Sequence, residues 1–392
     1  TDGARLHPTR ARNVERFMKT VLVTGSGGFM GRNLLEALGR RSDCRILEFE
    51  IEDAPSLLRN HLAEADIVYH LAGVNRPDDE EEFMRGNAGL TEFILAALEE
   101  LQRTPVIIMS SSTQAALENP YGISKKKAEE ALFDFSGRTG APVYVYRLTN
   151  VFGKWCRPNY NSVVATFCHN IARDLPITIS EKTRELELVY IDDVVAEFLR
   201  ILDGPPAAPV VDYLAVTPTC RVTLGELADM IGRFRDIRRT LTVPDMSHAF
   251  TRRLYATYLS YLEKDDFAYG VAPRTDERGT LSELLKSEQF GQIFVSRTRE
   301  GVIRGNHYHN TKVEKFCVIR GEAVIRFRHI LSDEVLSYQV SGDDVRIVDI
   351  PPGYTHSIEN LSHGEMIVLF WANEIFDPEA SDTYPLPVRS DW

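Results

Sequence analysis

The stretch GVIRGNHYHNTKVEKFCVIRG at residues 301–321, followed by PPGYTHSIEN at residues 351–360, decides the fold of the C-terminal part of this chain. Together the two segments hold His307, His309, Glu314 and His356. The HxH spacing is that of a β-strand, in which side chains at i and i+2 share a face. Three imidazoles and one carboxylate suit a borderline-soft divalent ion such as zinc, nickel or ferrous iron. The sequence therefore predicts a metal site in a β-rich region.

The segment around this site, residues 271–392, holds many short β-like runs such as KFCVIRG, AVIRFRHI and MIVLFWA. It has no strong helical periodicity, which predicts a β-barrel. The spacing of HxH, the following glutamate and the PxG before the last histidine resembles the two cupin motifs, although the glycine that opens the second motif is displaced to Gly342. The resemblance implies a jelly-roll barrel that binds one divalent metal ion, for which zinc is predicted ahead of the other ions. The alternative is a barrel that keeps these histidines as hydrogen-bonded core groups without a metal.

A second pattern lies near the N-terminus. Residues 19–24 (KTVLVT) form an apolar run, TGSGGFMG follows at 24–31, and an amphipathic stretch continues to about Arg40. This order predicts a strand, a glycine turn and a helix, in which Gly25, Gly28 and Gly31 allow backbone N–H groups to approach a pyrophosphate at the helix N-terminus. Further apolar runs alternate with helical segments. The N-terminal part is therefore predicted to be an α/β doubly wound parallel sheet, Rossmann-like.

Tyr121 and Lys125 stand four residues apart in PYGISK on a predicted helix. One helical turn brings the ammonium beside the phenol, where its charge is expected to lower the pKa of Tyr121 towards neutrality. A phenol tuned in this way can protonate a carbonyl oxygen as hydride arrives. Of the three serines at 110–112, Ser112 at the end of the strand is expected to face the site and to hydrogen-bond the same oxygen.

The motifs TGxxGxxG, HLAG (70–73), SSS, YxxxK and RLTNVFG (147–153) occur in the order found in extended short-chain dehydrogenase/reductases that act on nucleotide sugars, and residues 18–243 resemble that family. Joined to a C-terminal cupin, the chain is similar to bacterial capsule and O-antigen biosynthesis enzymes of the CapF type. The resemblance implies a bifunctional enzyme on the route to UDP-N-acetyl-L-fucosamine. The cupin would epimerise C3 of a UDP-4-keto-6-deoxy-HexNAc, and the reductase domain would reduce the C4 ketone with NAD(P)H. The acid nearest to the serines is Glu118, where dehydratases of this fold carry an acidic pair, so dehydration is not expected.

The resemblance also implies the site residues. The catalytic residues would be Tyr121, Lys125 and Ser112. The cofactor would be bound by Gly25, Gly28, Phe29, Met30, Gly31, Arg32, Asp66, Leu71, Ala72, Gly73, Asn87 and Lys125, with Asp66 near the adenine. The sugar nucleotide would contact Asn150, Arg157, Asn159, Asn161, Tyr308 and Tyr354. Tyr308, Tyr354 and His329 are the candidates for the acid and base of epimerisation, and His307, His309, Glu314 and His356 would be the metal ligands.

The sequence gives opposing indications about the cofactor. The second strand ends in Glu50, and a carboxylate at this place favours NADH because it bonds the ribose 2′-hydroxyl. The resemblance implies NADPH, and Arg32 could reach a 2′-phosphate. NADPH is therefore predicted first, with NADH as the alternative.

Composition narrows the class of protein. The formal net charge of −12 argues against nucleic acid as a partner, because no broad basic surface is available to neutralise phosphates. No apolar run reaches the roughly 18 residues needed to span a bilayer. The chain has five cysteines and no CxxC pair, which fits a protein of the reducing cytoplasm. A homodimer is expected as well. Residues 1–17 are interpreted as a disordered leader and residues 244–270 as a helical connector.

Two other functions fit the same motifs. The first is a UDP-sugar 4-epimerase that retains NAD and re-reduces its own substrate. The second is a reductase whose cupin only binds sugar or joins two subunits. Net consumption of reduced cofactor distinguishes the first from a reductase, and the effect of metal removal on chemistry at C3 distinguishes the second.

Overall fold

The computed structural model describes residues 18–77, 79–204 and 212–389. The chain divides into two compact units. The first contains the described residues up to Asn170, then Asp174–Leu227 and Leu259–Tyr261, and the second contains Ile171–Arg173, Ala228–Tyr258 and the described residues from Leu262 onward. The second unit thus takes in residues before 243, where the sequence placed the end of the reductase domain. The predicted leader at 1–17 lies outside the described residues.

The first unit is built on a parallel sheet of five strands in the order β2-β1-β3-β4-β5. Its strands are β1 (Lys19–Thr24), β2 (Cys44–Phe49), β3 (Ile67–His70), β4 (Val106–Ser112) and β5 (Val143–Leu148). Its helices are α1 (Phe29–Gly39), α2 (Pro55–Glu64), α3 (Glu81–Phe83), a π-helical turn (Met84–Gly89), α4 (Leu90–Glu100), a 3-10 turn (Thr113–Ala116), α5 (Pro120–Thr139) and α7 (Ile191–Asp203), while α6 (Val163–Ile171) ends in the second unit. From β1 the chain first runs to β2 on one side and then crosses to β3 on the other. The carboxyl ends of β1 and β3 therefore border the crevice where such sheets bind ligands.

Alternating residues of the central strands face two separate hydrophobic cores. Val21 and Val23 of β1 pack in the core that includes residues of α1 and α7, whereas Leu22 between them packs in the core that includes residues of α2, α4 and α5. Because side chains alternate along a strand, a run that is apolar at every position has helices on both faces. This arrangement confirms the predicted doubly wound sheet.

A smaller sheet in the order β6-β7-β8 follows the parallel sheet. Its strands are β6 (Asn150–Phe152), β7 (Glu185–Tyr190) and β8 (Thr219–Thr223). The chain continues through α8 (Leu224–Thr240) and α9 (Ala249–Leu259), and α9 lies in the segment predicted to be a helical connector. Within the part of the chain that the structure describes, no helix is both long and apolar enough to cross a bilayer.

The second unit is dominated by two mainly antiparallel sheets, in the orders β16-β13-β18-β11-β10-β9 and β15-β14-β17-β12-β19. The strands are β9 (Arg274–Asp276), β10 (Gly279–Ser287), β11 (Gly291–Thr298), β12 (Ile303–Tyr308), β13 (Glu314–Arg320), β14 (Glu322–His329), β15 (Val335–Ser341), β16 (Ile347–Ile350), β17 (Tyr354–Asn360), β18 (Met366–Ala372) and β19 (Tyr384–Pro385). Phe316 and Phe370 from one sheet share a core with Ile325 and Ile358 from the other. This confirms the predicted all-β jelly-roll after the α/β sheet.

Candidate active sites

The glycine turn after β1 lies against the turn after β3. Gly25 has a positive φ of 68°, and a Cβ built on it would lie 2.8 Å from the Ala72 backbone, so a larger residue would push the two turns apart. The Leu71 N–H donates to the Thr24 carbonyl at 3.2 Å. Helix α1 begins directly after Gly28, which places its first N–H groups at this edge. The predicted cofactor residues from Gly25 to Arg32 and from Leu71 to Gly73 therefore border one crevice.

Glu50 contacts the same glycine turn. Its Oε1 accepts a hydrogen bond from Ser26 Oγ at 2.9 Å and another from the Gly27 N–H. The Glu50 N–H donates in turn to Asp53 Oδ2 at 2.8 Å. A carboxylate held here presents negative charge where a cofactor's ribose would lie, whereas the Arg32 residue is exposed. The position of Glu50 thus supports the sequence pattern that favours NADH over NADPH.

Asp66 lies at the wrong edge of the sheet for the predicted contact with adenine. It precedes β3, and its Oδ2 accepts the Thr20 N–H at 2.8 Å at the start of β1. The glycine turn begins five residues further along β1, about 16 Å away at the rise of a strand. Asp66 therefore anchors the amino ends of the two strands. Its contact with adenine stays a prediction, which this geometry does not support.

Tyr121, Ser112 and Lys125 come together at the carboxyl end of β4. The Tyr121 and Ser112 side chains hydrogen-bond, and the buried Lys125 Nζ donates to the Ser110 carbonyl at 3.3 Å. Burial raises the pKa of Tyr121 to about 12, with the Ser112 hydrogen bond opposing this, and burial lowers the pKa of Lys125 to about 8. The expected lowering of the tyrosine pKa is therefore wrong for the protein without ligands. The phenolate would lose its solvation, and the lysine is bonded to a carbonyl.

Asn87 and Gly73 adjoin this group. A Cβ on Gly73 would lie 2.7 Å from Asn87 Oδ1 and 3.0 Å from Lys125 Nζ, so the three residues share a confined space. The buried Asn87 Nδ2 donates to Ser124 Oγ at 3.0 Å, on the helix α5 that carries Tyr121 and Lys125. The π-helical turn that carries Asn87 thus meets α5 beside the crevice. These contacts join the predicted cofactor residues to the predicted proton donor.

The four predicted sugar-nucleotide residues of the first unit follow β5. Asn150 lies in β6 and donates to the Glu187 carbonyl at 3.1 Å. Arg157, Asn159 and Asn161 are exposed in the segment between β6 and α6, where the Arg157 guanidinium lies 5.1 Å from the ring centre of Tyr160. Their placement leaves polar side chains available to solvent, and their binding role stays a prediction.

The four predicted metal ligands converge in the second unit. His307 on β12 pairs in register with His356 on β17, and His309 and Glu314 follow on the loop and on β13. One ligand atom from each residue lies within 4.8 Å of the others, and all but His307 are buried. His356 Nε2 is buried and has no hydrogen-bond partner among the described residues. An orphaned imidazole nitrogen beside two further imidazoles and a carboxylate fits a tetrahedral or larger ligand set for zinc.

The charges within this cluster are strongly coupled. Burial opposes ionisation of Glu314, but the neighbouring imidazoles of His309, at 3.2 Å, and His356, at 3.6 Å, outweigh it and hold the pKa of that carboxyl well below its usual range. Burial, the neighbouring His356 and His309, and more weakly Lys312 lower the pKa of His307 to about 4. The cluster thus offers a carboxylate and a neutral imidazole, the protonation states that metal ligands require.

Asp382 holds the loop that begins at the predicted ligand His309. Its carbonyl oxygen accepts a hydrogen bond from His309 Nδ1, which orients that ring with Nε2 towards Glu314. Its carboxylate accepts the backbone N–H groups of Asn310, Thr311 and Lys312 at 2.7–3.1 Å. Outer contacts of this kind fix the tautomer and orientation of metal-binding histidines. Sequence reasoning missed Asp382, because it lies some seventy residues along the chain from this loop.

The candidate acid and base residues of the cupin differ in position. Tyr308 alternates with His307 along β12, so its side chain lies on the opposite face, where it stacks on Tyr384 with ring centres 5.2 Å apart. The structure does not bring Tyr308 to the cluster. Tyr354 shares the face of His356, two residues away, and packs edge-on against His329 at 5.0 Å. Tyr354 also lines a cavity of about 420 Å³ together with Phe327 and Tyr338.

Comparisons with known proteins place the two units in named families. Residues 21–213 match the NAD dependent epimerase/dehydratase family, and residues 274–384 match the polysaccharide biosynthesis C-terminal domain. The fold of the first unit is shared with UDP-glucuronic acid 4-epimerase from Bacillus cereus, at 17% identity and a TM-score of 0.53 over 62% of this chain and 98% of that one.

Two relatives match nearly the whole chain. UDP-2-acetamido-2,6-beta-L-arabino-hexul-4-ose reductase from Pseudomonas aeruginosa is 45% identical over 94% of this chain and 98% of its own length. The crystal structure of the capsular polysaccharide assembling protein CapF from Staphylococcus aureus superimposes with a TM-score of 0.87 at 44% identity, over 94% of this chain and 100% of that chain. This chain therefore belongs to the family of CapF and the UDP-2-acetamido-2,6-beta-L-arabino-hexul-4-ose reductases.

Proposed function

We propose that this protein is a bifunctional nucleotide-sugar enzyme, in which the cupin epimerises C3 of a UDP-4-keto-6-deoxy-HexNAc and the reductase domain reduces the C4 ketone. The observation that carries the proposal is the match to a hexulose reductase over 94% of the chain, because it spans both units. The product expected from the resemblance is a precursor of UDP-N-acetyl-L-fucosamine for a capsule or O-antigen.

In the reductase unit, Tyr121 is the proposed proton donor to the C4 oxygen. A phenol whose pKa is held at about 12 is protonated at neutral pH, as a general acid must be. Ser112, which hydrogen-bonds this phenol, would orient it and the ketone oxygen. Lys125, with a pKa of about 8, is largely charged at neutral pH and favours the tyrosinate that forms as the proton leaves. A reduced nicotinamide supplies the hydride to C4.

In the cupin, His307, His309, Glu314 and His356 would hold one divalent ion, for which we propose zinc. Such an ion supplies Lewis acidity, which makes a proton next to a ketone easier to remove. The protein's part is to fix the ligands, which Asp382 does through His309 and the loop after it. Inversion at C3 also requires a base on one face of the sugar and an acid on the other. Tyr354 and His329 stay candidates for these roles.

For the cofactor we propose NADH ahead of NADPH. The resemblance implies NADPH, but Glu50 is bonded to Ser26 and Gly27 in the glycine turn. A carboxylate at this place accepts a hydrogen bond from a ribose 2′-hydroxyl and repels a 2′-phosphate. The negative charge of Glu50 therefore supports a preference for NADH. The ratio of kcat/KM for NADH to kcat/KM for NADPH tests this preference.

The function is tested by supplying the purified protein with UDP-2-acetamido-2,6-beta-L-arabino-hexul-4-ose and NADH or NADPH. One reduced cofactor should be oxidised for each sugar converted. Turnover of sugar without net oxidation would instead support the 4-epimerase that retains its cofactor. The same assay is repeated after the metal has been removed. If both epimerisation at C3 and reduction at C4 then continue unchanged, the cupin would only bind sugar.

A further inference from the structure

A cavity of about 250 Å³ opens on the inner face of the second unit beside the metal cluster. Glu314, Ala372 and Gln292 are in register across β13, β18 and β11, so their side chains share the face that lines this space. The charged and polar residues around the cavity are Arg274, Glu283, Gln292, Lys312, Glu314 and Glu374. The cavity thus joins a proposed metal ligand to a group of charges that the motifs do not include.

Lys312 is the unusual member of this group. Only 7% of the residue is exposed, and its Nζ donates to the neutral hydroxyl of Thr383 at 3.0 Å. Among the described residues, no carboxylate lies within ion-pair distance of Lys312, whereas Arg274 is paired with Glu283. A buried ammonium whose partner is a neutral hydroxyl recovers only part of the solvation it loses. Lys312 is therefore a buried cation without an ion-pair partner, in a cavity that Glu283, Glu314 and Glu374 also line.

The position of Lys312 is fixed at both ends of the residue. Its backbone N–H donates to Asp382 Oδ2 at 2.8 Å, and its ammonium is bonded to the neighbouring Thr383. The same Asp382 orients His309, so the lysine and a proposed metal ligand are held by one short segment. A preorganised donor of this kind stabilises charge without having to reorganise during the reaction.

We propose that Lys312 binds the C4 oxygen of the keto sugar and stabilises the negative charge that develops on it during epimerisation at C3. This inference rests on the proposed function. When a base removes the C3 proton, the C–H electron pair forms the C3–C4 double bond and the carbonyl π pair moves to the C4 oxygen. The ammonium hydrogen-bonds this oxyanion. Return of the pair and delivery of a proton to the other face of C3 complete the inversion with no net oxidation.

The alternative anion would be the diphosphate of the nucleotide. Pockets that enclose a whole ligand of drug size measure about 300–1,000 Å³. The cavity at Lys312 is smaller, at about 250 Å³, and it contains Glu314 of the metal cluster. These features favour a sugar ring at Lys312 and leave the nucleotide outside the cavity.

The test measures deuterium uptake at C3 of the keto sugar by the full-length, metal-loaded protein in deuterated water, without nicotinamide cofactor. The variants are Lys312→Met, which removes the charge, and Lys312→Arg, which retains it. Lys315→Met is the matched control, since this half-exposed lysine lies three residues further along the chain, on β13, and pairs with Asp349. Rates are expressed per bound metal ion, so that a variant with weakened metal binding is still informative.

We expect Lys312→Met to lower kcat for exchange by about 100-fold, the usual scale for removal of one oxyanion donor. The Lys312→Arg variant should recover part of this loss, and Lys315→Met should match the wild type. Exchange by Lys312→Met at the wild-type rate, or a rise in KM with kcat unchanged, would overturn the role of Lys312 and leave the epimerase intact. If the wild type itself exchanged no C3 hydrogen, the proposed epimerase function would fail, and this inference with it.

Discussion

The substitution Asp382→Asn should weaken metal binding by about tenfold. Asp382 does not contact the metal position itself, but its carboxylate accepts three backbone N–H groups of the loop at 310–312 and the hydroxyl of Thr311. Asparagine has nearly the same shape and keeps one oxygen acceptor. The substitution therefore removes charge from these hydrogen bonds while leaving the backbone contact through the carbonyl of residue 382 to His309 available.

The magnitude follows from the three backbone hydrogen bonds. A hydrogen bond to a charged group contributes roughly 1.5–3 kcal/mol and a neutral one roughly 0.5–1.5, so each loses about 1 kcal/mol. The sum of about 3 kcal/mol is an upper bound, because Asp382 is partly exposed and solvent screens its charge. About half of this, 1.5 kcal/mol, corresponds to a tenfold change in affinity. Substitutions outside the ligand set commonly weaken metal affinity by about 10–100-fold.

The assay is a competition titration of zinc between the protein and a chromophoric chelator. Asp377→Asn provides the control, because Asp377 is exposed in the same C-terminal segment and caps a local turn through the Glu379 N–H. The control should bind zinc like the wild type. Unchanged affinity in Asp382→Asn, or an equal loss in both variants, would show that Asp382 does not position the ligands.

Three further outcomes are expected in the reductase unit. Tyr121→Phe should lower the rate of ketone reduction by about 100-fold or more, the scale of general acid catalysis; near-normal oxidation of reduced cofactor by this variant would exclude Tyr121 as the donor. The reduction rate should fall as the pH rises through about 8, since Lys125 loses its charge above its pKa. A flat pH profile there would contradict this role of Lys125, and Lys125→Arg, which stays charged, should remove the decline. Glu50→Gln should shift the specificity ratio towards NADPH by about tenfold, given roughly 1.5–3 kcal/mol for a charge-assisted hydrogen bond. In the companion variant Arg32→Ala, equal losses for both cofactors would show that Arg32 does not discriminate between them.

The fold was predictable because its signals are local. The run at 19–24 is apolar at every position, and β1 faces a core on both sides. The HxH spacing predicted that His307 and His309 share a strand face. Strand β12 ends at Tyr308, one residue before His309, but the two rings do lie close together, with their centres 5.0 Å apart. The spacing of residues along one strand or helix determines which side chains share a face, and this spacing can be counted directly in the sequence.

The rest of the site depends on contacts between distant residues. Asp382 reaches the metal loop across some seventy residues, and Lys312 is unusual only because of its burial and its lack of an anionic partner. Neither property is visible in a linear sequence, where a lysine or an aspartate near a turn is ordinary. The hydrogen bond of Asp66 with the Thr20 N–H is likewise a contact between distant residues, because it joins the amino ends of β3 and β1.

The most direct test of the two-site account is proton NMR of the keto sugar in deuterated water with two variants, His307→Ala and Tyr121→Phe. The wild type should exchange the C3 hydrogen without cofactor and should reduce C4 when NADH or NADPH is added. Tyr121→Phe should exchange C3 and fail to reduce C4, while His307→Ala should fail to exchange C3 and still reduce ketone that has already been epimerised. Exchange at the native rate in His307→Ala, or loss of both activities in Tyr121→Phe, would contradict a division of the chemistry between the two units.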